Sequence, residues 1–107
     1  MKSWGVKQMK LWIDDVRPAP DGYEWAQSVL IAKAIIEVRE EDNIKIELID
    51  INHDAGDFVS DGGDYIRLLD WLEETGRSYP IRIHSMNPVG VANMRAIMKK
   101  NGWKEVF

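Results

Sequence analysis

One segment constrains this chain more than any other. Ile44–Ile51, Ile-Lys-Ile-Glu-Leu-Ile-Asp-Ile, alternates aliphatic with polar residues and holds neither glycine nor proline. Such a run is a strand. Helical periodicity flanks it on both sides. Ser28 opens a helix to about Glu40 whose apolar stripe is Leu30, Ile31, Ala34, Ile35 and Val38. Tyr65, Leu68, Leu69 and Leu72 give a second helix from about Tyr65 to Thr75, ended by Gly76. A strand set between two helices pairs in parallel with its neighbours through right-handed crossovers.

The remaining elements extend this pattern. Lys10–Asp15 reads as a strand ending in two carboxylates, and Tyr23–Gln27 as a short second strand. The loop between them is broken by Pro18, Pro20 and Asp21-Gly22. Ile81–His84 is a fourth strand. Asn87-Pro88 then caps and starts a helix with Val91, Met94, Ile97 and Met98 on its core face, stopped by Gly102. Trp103–Phe107 is expected to be a fifth, edge strand.

The expected fold is α/β, flavodoxin-like, with an open and mostly parallel five-stranded sheet in the order 2-1-3-4-5. Residues 1–9 form an extension and 10–107 a single domain. A loop replaces the helix normally found between the first two strands, and no helix follows the fifth. Both missing helices would cover the same face, so one sheet face is expected to be poorly covered. Trp12, Tyr23 and Trp25 are candidates for that face. A second copy of the chain, or Met1–Gln8, is a candidate cover for it.

Composition excludes several function classes. The 107 residues carry a formal net charge of -4, which argues against bulk nucleic-acid binding. There is no cysteine, so disulfides, thiol catalysis and thiolate metal sites are excluded. No apolar run approaches the ~20 residues of a membrane span. Met1–Met9 lacks the apolar core of a signal peptide, and the expected location is cytoplasmic.

Ligands of open α/β sheets bind beyond the carboxyl ends of the strands. The polar residues gather there: Asp14, Asp15 and Arg17 at the end of the first strand, Asp50, Asn52, His53 and Asp54 at the end of the third, His84, Ser85 and Asn87 at the end of the fourth. Asp14, Asp15 and Asp54 suit a hard cation such as Mg²⁺ or Mn²⁺. They also suit a merely solvated acidic turn. His53 is a candidate acid–base group or a satisfied loop histidine, and His84 a chemical group or a structural hydrogen-bonding one. The helix start at Asn87–Gly90 offers amides to an anion, with Gly90 leaving room, Ser85 adding a hydroxyl and Arg17 a guanidinium. The loop Gly56–Asp64 is a candidate lid.

The stretches LWIDDVRPAPDGYEW, NHDAGD, DYIRLLDWL and IRIHSMNPVGVANM together resemble the cyclic-phosphate-processing receiver domain, an offshoot of the two-component receiver fold. The resemblance covers about Lys10–Trp103. It implies a metal held by Asp14, Asp15 and Asp54, catalysis by His53, Asp54 and His84, and phosphate contacts from Arg17, Asn52, Ser85, Asn87 and Gly90. The implied reaction is metal-dependent opening of a cyclic phosphate on a nucleotide or RNA end. The partner would be a small phosphorylated ligand or an RNA 3′ end, with no membrane involved. Asn52 stands where the family usually has the receiver's phosphoacceptor aspartate, and Lys104 is no clear counterpart of the receiver's strand-five lysine. An amide forms no acyl phosphate, so aspartyl-phosphate signalling is not expected. Asn52 also supports an alternative: a non-catalytic pseudo-receiver that binds a ligand or dimerises.

Overall fold

The computed structural model describes residues 7–107. The elements run β1 (Gln8–Ile13), β2 (Tyr23–Ala26), α1 (Val29–Glu41), β3 (Lys45–Ile51), a 3₁₀ turn (Gly56–Phe58), α2 (Ile66–Glu74), β4 (Ile81–Ile83) and α3 (Pro88–Asn101). The sheet has four strands in the order β2-β1-β3-β4, with every pairing parallel. β1 begins at Gln8, inside the stretch expected to be an extension. The remaining residues, 1–6, lie outside the described part, as does most of the Met1–Gln8 cover.

The expected fifth strand is a correction. Trp103–Phe107 lies beside β4 but makes one parallel bridge, Ile81 with Glu105. Two backbone bonds tie it to β4, Ile81 N to Lys104 O and Val106 N to Ile81 O. β4 is three residues long and offers little edge to extend.

Local signals set the helix ends. The Ser28 hydroxyl accepts from the Ile31 amide, and the Asn87 side chain accepts from the Gly90 amide, 3.0 Å away. Gly102 takes the left-handed conformation that closes α3, at φ 68°. α2 buries Leu68, Leu69 and Leu72, and Tyr65 just before it is fully buried. α3 buries Met94 and Met98.

The phase of α1 differs from the expected stripe. Val29, Ala32 and Ile36 are buried, while Leu30, Ile31 and Val38 are about half exposed. The helix is apolar around most of its girdle, so periodicity alone does not select a face. Packing of its first turn selects it: Val29 lies against Gly62, and the Leu30 amide donates to Asp61 O. That bond also ties the Gly56–Asp64 loop, the expected lid, to α1.

A single register shift organises the sheet. Between Met9 and Lys10 the pairing with β3 slips by one residue, from Met9–Ile46 to Lys10–Leu48. The strict alternation of Ile44, Ile46 and Leu48 therefore breaks. Ile46, Ile49 and Ile51 join Leu11, Ile13 and Ile81 in one core cluster with the buried helix residues, and Leu48, also buried, lies outside that cluster. The other face carries Lys10, Trp12 and, in register with them, Tyr23, Trp25, Asp50 and Arg82. No helix packs among these residues, as the two missing helices imply.

Candidate functional site

The strand ends bring the expected polar residues into two clusters. The first is built on β1, β3 and β4 and faces the open side of the sheet. Asp50 points there from β3 because the register shift places it opposite Trp12 and Arg82. His84, one residue past β4, reaches back between two acids. Its Nδ1 lies 2.6 Å from Asp50 Oδ1 and its Nε2 2.9 Å from Asp14 Oδ2. Both carboxylates are 3% exposed and the His84 side chain 12%. Trp12 stacks flat on the His84 ring, with centroids 3.9 Å apart and planes 4° from parallel.

Asp14 is fully engaged. Its Oδ1 accepts from the amides of Val16 and Arg17, each at 2.9 Å. Burial alone pushes its carboxyl up, but those two amides and His84 outweigh burial and hold it below the usual aspartate value. Asp50 belongs to the polar set expected at the end of the third strand, but no site role was expected of it. The available signal was an acid inside an apolar central strand, which needs a buried partner.

The second cluster lies between the end of β3 and the start of α3. His53 Nδ1 is 2.8 Å from Asp54 Oδ1, and Asn87 Nδ2 approaches both groups at 3.4–3.5 Å. The His53 ring lies against Gly90. A Cβ on Gly90 would stand 2.5 Å from the ring's Cγ. The room that Gly90 was expected to leave for a phosphate is thus taken by His53. The ring is 14% exposed, while Asp54 is 60% exposed. Among the described residues, His53 Nε2 has no hydrogen-bond partner. Ser85 Oγ accepts from the Asn87 amide and keeps its own proton free.

The other candidates sit apart from these centres. The Asn52 side chain accepts from the His53 amide at 2.8 Å and so shapes the loop. Asp15 points away from Asp14, and its carboxylate lies on Gly56. Arg17 is exposed and its guanidinium makes no ion pair among the described residues. Tyr65 donates to Gln27 O at 2.7 Å. Burial first, then the charges of Asp15, Asp14 and Asp64, raise its pKa and keep it a neutral structural phenol.

The metal set of the sequence reading is not assembled. Both Asp14 oxygens are already bonded, the Asp15 carboxylate lies on Gly56, and Asp54 pairs with His53. Among the described residues no group of three or more His, Asp or Glu is placed to hold a metal ion. These residues do not fit a shared Mg²⁺ or Mn²⁺. No helix among them is long and apolar enough to cross a membrane.

No curated protein and no solved structure matches the chain. The family model described as the cyclic-phosphate processing Receiver domain matches residues 9–100, which include all four strands' ends and both histidine clusters. With its parallel α/β sheet and polar strand ends, the chain belongs to the cyclic-phosphate-processing receiver domain family.

Proposed function

We propose that the chain opens a cyclic phosphate on a nucleotide or RNA end, with His53 as the acid–base group. One observation carries this reading. His53 is oriented by Asp54 through Nδ1, while Nε2 is left without a partner among the described residues. A base fixed by a carboxylate through one nitrogen and free at the other is the arrangement proton transfer needs. In the reaction, Nε2 takes a proton from the attacking water as its oxygen bonds to phosphorus. One ester P–O bond then breaks, and the released ribose oxygen receives that proton. The product is a linear phosphomonoester.

Ser85 Oγ–H and the Asn87 side-chain Nδ2 are the donors for the phosphoryl oxygens, and the exposed Arg17 is the source of further positive charge. His84 takes no part in proton transfer, since both its nitrogens are bound to carboxylates. No step is assigned to a metal.

A phosphorus NMR time course with 2′,3′-cyclic and 3′,5′-cyclic nucleotides tests the proposal. Conversion to a linear monoester, lost in His53→Ala, supports it. Asn52 favours a second reading, a pseudo-receiver that binds a phosphorylated ligand or pairs with another copy through the open sheet face. Ligand-induced shifts at His53 and Ser85 without turnover, across the panel, would select that reading.

A further inference from the structure

The pocket between β1, β3 and β4 holds two buried carboxylates and one ring. Two acids each 3% exposed need a positive charge beside them, because an unpaired buried carboxylate costs several kcal/mol. A divalent ion is the usual answer in an acid-lined pocket. Here the His84 ring stands in that place, bridging Asp50 and Asp14 at 2.6 and 2.9 Å. Trp12 stacks on the ring from the open face and closes the approach. The second Asp14 oxygen is saturated by the Val16 and Arg17 amides. The other ring-bearing candidate, His53, lies in a separate cluster with partners of its own.

We infer that the His84 ring fills the acidic pocket of Asp14 and Asp50 and closes it to divalent metal ions. The inference does not rest on the hydrolytic reading, since it is read out by metal binding without substrate.

The test titrates Mn²⁺ into the protein and follows paramagnetic broadening of the Val16, Arg17 and Asn52 amides. The wild-type protein is expected to show no broadening centred on Asp14. His84→Ala empties the pocket and is expected to bind Mn²⁺ there at least about tenfold more tightly, a gain removed by adding Asp14→Asn. His84→Lys places a cation between the acids and is expected to fold and to exclude Mn²⁺. Broadening centred on Val16 and Arg17 in the wild-type protein would overturn the inference. So would a folded His84→Ala protein that gains no site. If His84→Ala does not fold, the lysine variant decides. A folded His84→Lys protein without Mn²⁺ binding supports the inference. A folded His84→Lys protein that binds Mn²⁺ at Asp14 overturns it, and if the lysine variant does not fold, His84→Gln is read in the same two ways.

Discussion

The two histidines of this chain end adjacent strands yet live in opposite chemical conditions. His84 spends both nitrogens on buried carboxylates and lies under a tryptophan. His53 spends one nitrogen on an exposed carboxylate and rests edge-close on the backbone of Gly90. Alternation along parallel strands produces the difference, because successive residues leave a strand on opposite sides. Asp50 and His84 go to the open face, and His53 goes toward α3. The lesson is that a histidine's availability depends on what its second nitrogen is doing, and that cannot be inferred from its being near a ligand-binding edge. One ring has both nitrogens bonded, and the other keeps a nitrogen without a partner among the described residues.

The largest effect expected from breaking this contrast belongs to His84. His84→Ala leaves two buried carboxylates facing each other and should cost about 3–5 kcal/mol in chemical denaturation. A loss under about 1 kcal/mol would show that the two histidines are alike. Gly90→Ala sharpens the other side. Alanine normally favours a helix by about 0.5–1 kcal/mol over glycine. Here its Cβ would meet the His53 ring at 2.5–2.8 Å. The ring must move, so Gly90→Ala should instead destabilise by about 1–3 kcal/mol and lower turnover. A stabilised, fully active variant would contradict the close packing.

Acid should act on the His84 side. The Asp14 carboxyl lies below its ordinary value in the folded chain. Its stabilising contribution is therefore complete above the unfolded value of about 3.9 and is lost as pH falls through the lower, folded value. Glu40, lowered chiefly by its hydrogen bonds from Arg77, adds in the same direction. Thermal midpoints measured from pH 6 downward should hold until about pH 4 and then drop, with the drop reduced in Asp14→Asn relative to that variant's own plateau. The smallest effect is expected at Asn52. Asn52→Asp keeps an oxygen to accept the His53 amide, so stability should change by less than about 0.5 kcal/mol. A larger change would mean that the amide group does more than shape the His53 loop.

The frame of this fold is legible in the amino-acid order because its signals are local. Ser28 and Asn87 cap helices through their own side chains, Gly102 stops α3, and Tyr65, Leu68, Leu69 and Leu72 mark one helical face without ambiguity. The rest depends on contacts between distant segments. α1 offers apolar residues on most sides, and only its packing against Gly62 and the Asp61 carbonyl fixes which are buried. The register shift at Met9/Lys10 leaves no pattern in either strand alone, yet it decides that Leu48 falls outside the main core cluster and that Asp50 meets His84. The fifth strand fails for a similar reason, since its pairing depends on how much of β4 is extended.

The candidate site divides in the same way. His53, Asp54, Ser85 and Asn87 were legible as polar residues at strand ends, and they do meet. Asp14 and Asp15 were legible as a pair, but hydrogen bonds from the Val16 and Arg17 amides and from His84 turn Asp14 away from any shared ligand role. Asp50 was legible at the same strand end, but nothing local to it names His84 as its partner. Gly90 was legible as a close-approach position, while the group that approaches it is an imidazole of the same chain.

The central claim is that His53 carries the chemistry and does not hold the fold. The most direct measurement is His53→Ala beside wild type, with cyclic-nucleotide turnover by phosphorus NMR and the thermal midpoint taken on the same samples. The account predicts turnover reduced by about 10²–10⁴-fold with a midpoint close to wild type. Turnover retained in His53→Ala, or a midpoint that collapses along with activity, would contradict it.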